Sequence, residues 1–235
     1  MADPRRSACR RSAPVRRRPP PRGTDARTGG PGRCATPNEA TVADERAPAG
    51  NVARVTTLRL RPEGPADAGP VRRVLAAAFA RPDRTTPGEV ALVDDLRGSA
   101  AWLPELAMVA EYGGEVVGYA LLTRVQVEAD RVRVPALVLG PVAVAPHRQR
   151  VGHGTAVVQA ALEAATELGE RLVVVLGDPA YYRRFGFARA DRMGLVSPWS
   201  GLGEPWQALV LPPEVSDAPP PPRGEVVFPP PWSRV

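Results

Sequence analysis

The chain has no lysine: all 31 residues in the Lys and Arg count are arginines. This absence excludes the phosphate loop of nucleoside triphosphatases, which needs a Gly-Lys pair followed by Ser or Thr. Both cysteines, Cys9 and Cys34, lie near the start, so the rest of the chain is predicted to lack disulfides and to be cytoplasmic. Because no apolar run is long enough for a membrane span or a secretory signal, no membrane partner is expected.

The positive charge is concentrated at one end of the chain. The first 50 residues hold 11 arginines and 5 acidic residues, which accounts for the whole formal charge of +6. This composition predicts a disordered Arg/Pro-rich tail over residues 1–52. A domain is predicted over 53–211, followed by a Pro-rich C-terminal tail over 212–235 with Pro219–Pro222 and Pro229–Pro231 extended. Binding of nucleic acid through the arginine tail is the less favoured interpretation, since charge runs are commonly solvated.

A segment in the middle of the chain predicts a buried strand followed by a helix. Ala136–Val144 is almost wholly apolar, which is typical of a strand covered on both faces. The Gly140-Pro141 pair within it predicts a splay or a bulge, because proline cannot donate to a sheet ladder. The helix is predicted over Gly154–Leu168, which consists mainly of good helix formers, and Gly169 is its expected stop.

The turn between this strand and this helix has the sequence QRVGHG, from Gln149 to Gly154. Glycines allow a ligand to approach the backbone closely, and the first N–H groups of a helix have no intrahelical acceptor. Together with the positive end of the helix dipole, they predict a site for phosphate groups. Arg148 and Arg150 add positive charge. A dinucleotide-binding motif is disfavoured because Val157 stands at its third glycine position, whereas a plain tight turn stays an alternative for the glycines alone.

A second segment carries a candidate catalytic side chain. Leu172–Leu176 predicts another buried strand, and Asp178-Pro179 predicts the N-cap and first turn of a short helix that ends at Gly186. Tyr182 lies in this helix, four residues before the Gly186-Phe187 pair. For an isolated tyrosine, a half-buried ring with an ordinary hydroxyl partner is the alternative.

Hydrophobic periodicity predicts the other elements of the domain. The strands alternate or run apolar, the helices carry an apolar stripe, and Gly113-Gly114 indicates a hairpin. In chain order these elements are a strand at Thr57–Arg61, helices at Ala66–Ala80 and Pro87–Leu96, strands at Leu106–Glu111 and Glu115–Leu122, and a late strand at Glu204–Leu211.

The chain resembles the GNAT family of N-acetyltransferases. Gln149, Gly152 and Gly154 match the Gln/Arg-x-x-Gly-x-Gly/Ala loop with which that family binds acetyl-coenzyme A, and Tyr182 matches its tyrosine after the fifth strand. The run LGDPAYYRRFGF further resembles the YhbS-like subgroup of predicted acetyltransferases. The resemblance covers about Thr57 to Leu211. It implies an α/β fold with a central mixed sheet, a splay between the fourth and fifth strands, and helices on both faces.

The resemblance also implies a reaction and a site. A primary amine of a small molecule or a peptide would attack acetyl-CoA directly, without a metal, and Tyr182 would protonate the departing thiolate. An N–H group near Val142 would stabilise the oxyanion. The diphosphate would lie on the loop and the pantetheine along the splayed strand. The cofactor-binding residues expected on this basis are Val142, Ala143, Val144, Gln149, Arg150, Val151, Gly152, His153, Gly154 and Thr155.

The sequence departs from the family pattern at two positions. Val175 stands where many members have an asparagine, so Asp178 is expected to replace its contact with pantetheine. The splayed strand lacks a glutamate, which leaves Glu111 as a base acting through a water, or as an ordinary exposed hairpin residue. Without a clear base, the alternative function is a catalytically idle acyl-CoA-binding module, which the arginine-rich tail could tether to nucleic acid.

The acceptor amine would enter between two segments of the domain. The resemblance places its entry between residues 80–88 and residues 196–206, where Trp199 and Trp206 could form walls. Large apolar residues near a sheet are more often plain packing. The sequence indicates neither the identity of the amine nor an oligomeric state.

Overall fold

The computed structural model of the chain describes residues 57–82, 87–129, 131–213 and 219–234. The predicted N-terminal tail and its interaction with nucleic acid therefore lie outside the described residues. Within these ranges the chain forms nine strands and four α-helices. The strands are β1 Leu58–Pro62, β2 Ala107–Tyr112, β3 Glu115–Ala129, β4 Val132–Val144, β5 Leu172–Leu176, β6 Ala188–Arg189, β7 Leu195–Val196, β8 Trp206–Val210 and β9 Gly224–Val227. The helices are α1 Ala68–Ala78, α2 Gly88–Arg97, α3 His153–Glu167 and α4 Pro179–Tyr182.

All nine strands belong to one mixed sheet. Its order is β1-β2-β3-β4-β5-β8-β6, with β9 paired to β3 and β7 paired to β9. The β4–β5 and β7–β9 pairs are parallel and the others are antiparallel. One hydrophobic core lies between the sheet and helices α1 and α2, and a second lies between the sheet and α3. The predicted fold class, a mixed sheet with helices on both faces, is confirmed.

The helices form where apolar residues recur on one face. In α3 the buried stripe consists of Val157, Val158, Ala161, Leu162 and Ala165, the spacing of an amphipathic helix. Full burial of each valine or leucine of this kind stabilises the fold by about 1.5–3 kcal/mol. The helix ends before Gly169, whose positive φ of 74° is the usual left-handed stop.

The predicted splay is present at the centre of the sheet. Between the pairs Ala120↔Val142 and Leu122↔Leu139, two residues of β4, Gly140 and Pro141, lie opposite one residue of β3. This is the geometry of a β-bulge. On its other edge β4 pairs with β5 only through Leu137↔Val173 and Val138↔Val174. The two parallel strands therefore separate where β4 reaches the bulge.

The end of the chain adds to the same sheet and core. β9 pairs with residues 126–128 of β3, the half of that strand that extends beyond β2. Residues 230–234 form a 3-10 helix rather than the extended run predicted for Pro229–Pro231. The indole of Trp232 in this helix is 9% exposed and joins the core under α1 and α2. The described part of the segment predicted as a Pro-rich tail thus contributes a strand and a core aromatic residue.

We expect Gly224→Ala to weaken the attachment of β9. Gly224 has a φ of 147°, and a Cβ atom there would overlap the carbonyl oxygen of Glu128 in β3. The substitution should lower the free energy of unfolding by about 1–3 kcal/mol, the usual cost of such backbone strain. Urea denaturation followed by circular dichroism measures this loss.

Gly201→Ala is the matched control, because a Cβ atom at that position meets nothing within 4 Å. It should leave the midpoint of urea denaturation unchanged. Equal midpoints for the two variants would contradict the contact between β9 and β3.

Candidate active site

The end of β4 directs main-chain groups into the gap between β4 and β5. The N–H of Ala145 donates to the carbonyl of Val117 in β3 at 2.8 Å. Because N–H groups alternate in direction along an antiparallel ladder, Ala143 also faces β3, whereas Val142 and Val144 face away from it. The side-chain amide of Gln149 donates to the Val144 carbonyl at 3.0 Å, which agrees with this direction. The N–H groups of Val142 and Val144 therefore point toward the gap.

The N-terminus of α3 presents a second group of main-chain donors. The N–H of Ala156 donates to the Gly152 carbonyl at 3.0 Å, which is the first bond of the helix. The N–H groups of His153, Gly154 and Thr155 thus have no intrahelical acceptor, and no side chain caps the helix. Gly152, the N-cap, has a φ of 94°, which explains the glycine at this position. The loop presents donors and a positive dipole to an anion.

Gly154 brings the strand, the helix and the tyrosine segment together. A Cβ atom on Gly154 would lie 3.1 Å from the hydroxyl of Tyr181 and 3.3 Å from a methyl group of Val144. Contacts this short require the neighbours to move. The glycine therefore lets α3 begin directly beside the end of β4 and beside α4.

The remaining loop residues lie at the surface. Arg150 and Val151 are exposed, and Arg150 has a positive φ of 63°. Arg148 is half-buried, with its guanidinium carbon 4.8 Å from the centre of the Tyr112 ring. The positive charges predicted beside the loop are thus one exposed arginine and one stacked arginine.

His153 lies under the loop rather than on it. Its side chain is 5% exposed and its ring centre lies 5.4 Å from that of Tyr112. Within the described residues, Nδ1 of His153 and Nε of Arg148 are buried polar atoms without a hydrogen-bond partner. Burial, and secondly the charge of Arg148, lower the pKa of His153. The imidazole is therefore held neutral beneath the loop.

Tyr182 follows β5 on the same side of the sheet as α3. The side chain of Asp178 accepts a hydrogen bond from the N–H of Ala180 at 2.9 Å, which confirms the predicted N-cap of α4. The Tyr182 ring covers Gly177, where any Cβ atom would overlap it, and packs at 5.7 Å from Phe187. Glycine at 177 thus lets the tyrosine lie against the end of β5.

The Tyr182 side chain keeps its proton at neutral pH. Its ring is 9% exposed, and burial, with a contribution from Tyr181, raises its pKa. Within the described residues its hydroxyl makes no hydrogen bond, yet it is not among the fully buried atoms that lack a partner. The hydroxyl is thus protonated, accessible and free to donate to a bound group.

Arg184 is a further site residue that sequence analysis did not identify. Its guanidinium carbon lies 4.6 Å from the centre of the Tyr181 ring, and its Nε donates to the Tyr181 carbonyl at 2.8 Å. Its Nη1 lies 3.4 Å from Oγ1 of Thr155 in the first turn of α3. The guanidinium of Arg184 therefore connects the Tyr181 segment with the N-terminus of α3. The sequence signal for Arg184 was its position three residues after Tyr181 in the predicted short helix, a spacing that brings two side chains together.

Asp178 and Glu111, the residues expected to replace the missing asparagine and the missing base of the family pattern, have other partners in the structure. Asp178 caps α4, and Val175 is fully buried. Glu111 accepts a hydrogen bond from Arg61 at 2.9 Å, and the same arginine pairs with Asp67 at 2.5 Å. Glu111 is thus a half-buried ion-pair partner rather than an exposed hairpin residue.

The two tryptophans expected to wall an acceptor pocket differ in their exposure to a cavity. Trp206 is fully buried and donates its indole N–H to the Leu195 carbonyl at 3.2 Å. Trp199 is half-buried and lines a cavity of about 400 Å³ together with Phe228 and Trp232. Residues 83–86 of the predicted entry lie outside the described residues.

The described residues offer neither a metal site nor a membrane-spanning helix. The described part of the chain contains no group of three or more His, Cys, Asp or Glu residues placed to hold a metal ion. It also contains no helix with the length and apolar character that crossing a bilayer requires. The predicted absence of a catalytic metal stays a prediction.

The splayed mixed sheet with helices on both faces is the fold that the resemblance to the acetyltransferase family predicted. A family model described as "Acetyltransferase (GNAT) domain" matches residues 59–190. The chain belongs to the GNAT acetyltransferase family.

Two relatives from Escherichia coli K12 are similar in sequence. The chain is 32% identical to the "Uncharacterized N-acetyltransferase YhbS" over 151 residues, which are 64% of this chain and 85% of YhbS. It is also 32% identical to the "Uncharacterized N-acetyltransferase YjhQ" over 121 residues. That match covers 52% of this chain and 64% of YjhQ, less than two thirds of its length.

Two crystal structures are similar in fold. The E. coli YhbS structure, in complex with CoA, has a TM-score of 0.67 and 28% identity, and the match covers 78% of this chain and 96% of YhbS. A GNAT acetyltransferase from Brucella melitensis, in complex with acetyl-CoA, has a TM-score of 0.58 and 31% identity. That match covers 74% of this chain and 97% of the Brucella protein.

We expect the buried His153 to make stability depend on pH. Its pKa in the folded chain lies below the usual value of about 6.5. The unfolded chain therefore binds this proton more readily, so stability is full above pH 6.5 and falls as the pH drops below it. Urea unfolding at pH 7.5 and pH 5.5 should show a smaller loss for His153→Gln than for the wild type.

The matched control is His147→Gln, since His147 is exposed in the turn before the loop. It should keep the pH dependence of the wild type. If His153→Gln also keeps it in full, the neutral buried imidazole is refuted.

Proposed function

We propose that this chain transfers the acetyl group of acetyl-CoA to a primary amine by direct attack, with Tyr182 as the general acid. The observation that carries the proposal is the pair of main-chain N–H groups, at Val142 and Val144, that face the gap between β4 and β5. The CoA in the E. coli YhbS structure and the acetyl-CoA in the Brucella structure support the identity of the co-substrate.

The proposed binding site has two parts. The diphosphate of the co-substrate accepts hydrogen bonds from the N–H groups of residues 150–155, where the α3 dipole adds to the attraction. The pantetheine arm lies along Val142–Val144 and takes the place of a neighbouring strand, since these groups have lost β5 as a partner. Gln149 acts from the loop by holding the Val144 carbonyl.

The proposed reaction forms a C–N bond and breaks a C–S bond. The amine nitrogen attacks the thioester carbon, and the N–H of Val142 donates to the oxyanion that develops on the carbonyl oxygen. When the C–S bond breaks, Tyr182 donates its hydroxyl proton to the departing sulfur, and the amine proton leaves to water. We assign no side chain as the base, because the Glu111 carboxylate is bound to Arg61.

The raised pKa of Tyr182 limits how the proton moves. An ordinary tyrosine with a pKa of about 10 gives its proton to a thiolate of pKa about 8.5 at a cost of roughly 2 kcal/mol. Burial raises that pKa further and increases the cost. Tyr182 therefore acts through a hydrogen bond that strengthens as the sulfur gains charge, rather than by complete transfer before the C–S bond breaks.

The proposal also covers the acceptor, the cellular compartment and the partners of the chain. The acceptor is a small-molecule or peptide amine, and the chain acts in the cytoplasm, as the lack of cysteine in the domain indicates. Nucleic acid is retained only as a disfavoured partner of the N-terminal tail, which lies outside the described residues. The proposal includes no metal.

We expect Tyr182→Phe to reduce turnover far more than binding. Loss of the hydroxyl removes the proton donor, so kcat should fall about a hundredfold, the usual contribution of general acid catalysis. The Kd for acetyl-CoA should stay within about threefold, because the main-chain contacts remain. Release of free thiol with a library of primary amines measures kcat, and calorimetry measures the Kd.

Tyr181→Phe is the matched control. Tyr181 is the adjacent residue of the same short helix, and its hydroxyl lies beside Gly154 and the first turn of α3. Its loss should leave kcat within about threefold. A larger fall in kcat for Tyr181→Phe than for Tyr182→Phe would show that Tyr182 is not the general acid.

We expect Gly152→Glu to abolish tight binding of the co-substrate. The substitution places a side chain at a φ of 94° and a negative charge at the N-terminus of α3. Both effects oppose a bound diphosphate, so affinity for CoA should fall about tenfold or more, which corresponds to about 1.4 kcal/mol. Calorimetry with CoA measures the change.

Gly201→Glu is the control for added negative charge, since Gly201 is exposed and a Cβ atom there meets open space. It should bind CoA like the wild type. If Gly152→Glu binds CoA with unchanged affinity, the loop is not part of the binding site.

A catalytically idle acyl-CoA-binding module is the second candidate function. The ion pair between Glu111 and Arg61 favours it, because the pair leaves that carboxylate without a free role as a base. This alternative predicts that acetyl-CoA binds while no thiol is released across a broad panel of amines. The same assay therefore separates the two functions.

A further inference from the structure

We infer that Trp232 is a positioning residue for acetyl transfer, which holds the β4 bulge that directs the main chain of Val142 into the gap. The inference rests on the proposed function. It assigns a role in the reaction to the C-terminal segment, which lies beyond the residues matched by the family model.

The indole of Trp232 lies directly on the bulge. Its Cη2 atom is 3.1 Å from the position that a Cβ atom of Gly140 would occupy. Gly140 has a φ of 153°. As a glycine it has no side chain that would restrict its backbone to this conformation. The ring thus occupies the space that a side chain at the bulge would fill.

The same indole is bonded to the neighbouring strand. Its N–H donates to Oγ1 of Thr123 in β3 at 3.3 Å, and Thr123 is fully buried. Thr123 is paired with Val138, the last residue of β4 that pairs with β5. Trp232 therefore contacts both strands at the point where β4 leaves β5.

The C-terminal segment holds the indole in this position. β9 is paired with β3, and the Phe228 ring that follows it lies 5.9 Å from Trp232. On its other side Phe228 packs edge-on against Trp199, with ring centres 4.6 Å apart. The aromatic contacts and the β9 ladder restrict movement of the indole.

The bulge determines which N–H groups of β4 face the gap. Beyond it the register is shifted by one residue, from Leu122↔Leu139 to Ala120↔Val142. Because N–H directions alternate along a strand, a slip of one residue would turn the Val142 N–H toward β3. By holding the bulge at Gly140 and Pro141, Trp232 keeps the oxyanion donor in the gap.

The binding loop does not share these contacts. Trp232 touches Gly140, Thr123 and Phe228, whereas the diphosphate would lie on residues 150–155. The diphosphate contacts stay in place when the bulge is displaced, so kcat should fall much more than affinity for CoA, which loses part of its pantetheine contacts at Val142 and Val144. A general loss of structure would instead lower both to a similar extent.

The test uses the full chain and compares Trp232→Ala with the wild type. We expect kcat for thiol release with an amine acceptor to fall at least about tenfold, since small misplacements of reacting groups have effects of this size. The Kd for CoA, measured by calorimetry, should stay within about threefold. Trp232→Phe keeps an aromatic ring against Gly140 and should restore kcat to within about threefold of the wild type.

Trp102→Ala is the matched control, because Trp102 packs on the same core but lies beside Arg97 of α2. The Trp102→Ala variant should be less stable than the wild type, but its kcat should not fall more than its affinity for CoA. If Trp232→Ala fails to fold, Thr123→Val removes the acceptor of the indole N–H at nearly constant volume and should lower kcat with unchanged Kd.

Three results would overturn the inference: an unchanged kcat in the Trp232 and Thr123 variants, a parallel loss of kcat and CoA affinity, or an equal loss of kcat in Trp102→Ala. If the wild type binds acetyl-CoA but releases no thiol with any amine, the proposed function itself fails and the inference falls with it. Activity in the wild type together with full activity in Trp232→Ala refutes only the role of Trp232.

Discussion

The proposed chemistry depends on the interruption of one pair of parallel strands. β4 and β5 pair through Leu137 and Val138 and then separate where the Gly140-Pro141 pair forms a bulge in β4. The main-chain groups of Val142 and Val144 then have no strand on that side. A continuous ladder would occupy these groups, and an extended ligand could not bind there. The gap thus begins at the bulge, beyond which β4 no longer pairs with β5.

The gap can serve a ligand only because three elements meet at its end. Gly154 lets α3 begin in contact with Val144 and Tyr181, while the positive φ of Gly152 sets the turn that exposes the first N–H groups of the helix. The two glycines of the motif therefore have different roles: one permits close packing and the other permits a left-handed turn. Sequence analysis attributed both to the approach of a ligand.

Local signals were sufficient for much of the fold. β5 occupies Leu172–Leu176 as predicted, and α3 begins and ends one residue earlier than predicted. β3 was predicted to end at Leu122 but continues to Ala129, and this second half pairs with both β4 and β9. β9 and Trp232 were missed because their segment is rich in proline and their partners are distant in sequence. β9 pairs with residues 126–128 of β3, and Trp232 bonds to Thr123, 109 residues away.

By itself the sequence determined the class of fold, the glycine turn that begins α3 and the family, because glycine positions, helix caps and apolar periodicity act over a few neighbouring residues. Only the tertiary structure decided that His153 is buried and neutral, that Glu111 is bound to Arg61, and that the chain end supports the bulge. Each of these depends on contact between residues far apart in the chain. No local pattern encodes which distant side chains will meet, because that is set by the packing of the whole sheet and its helices.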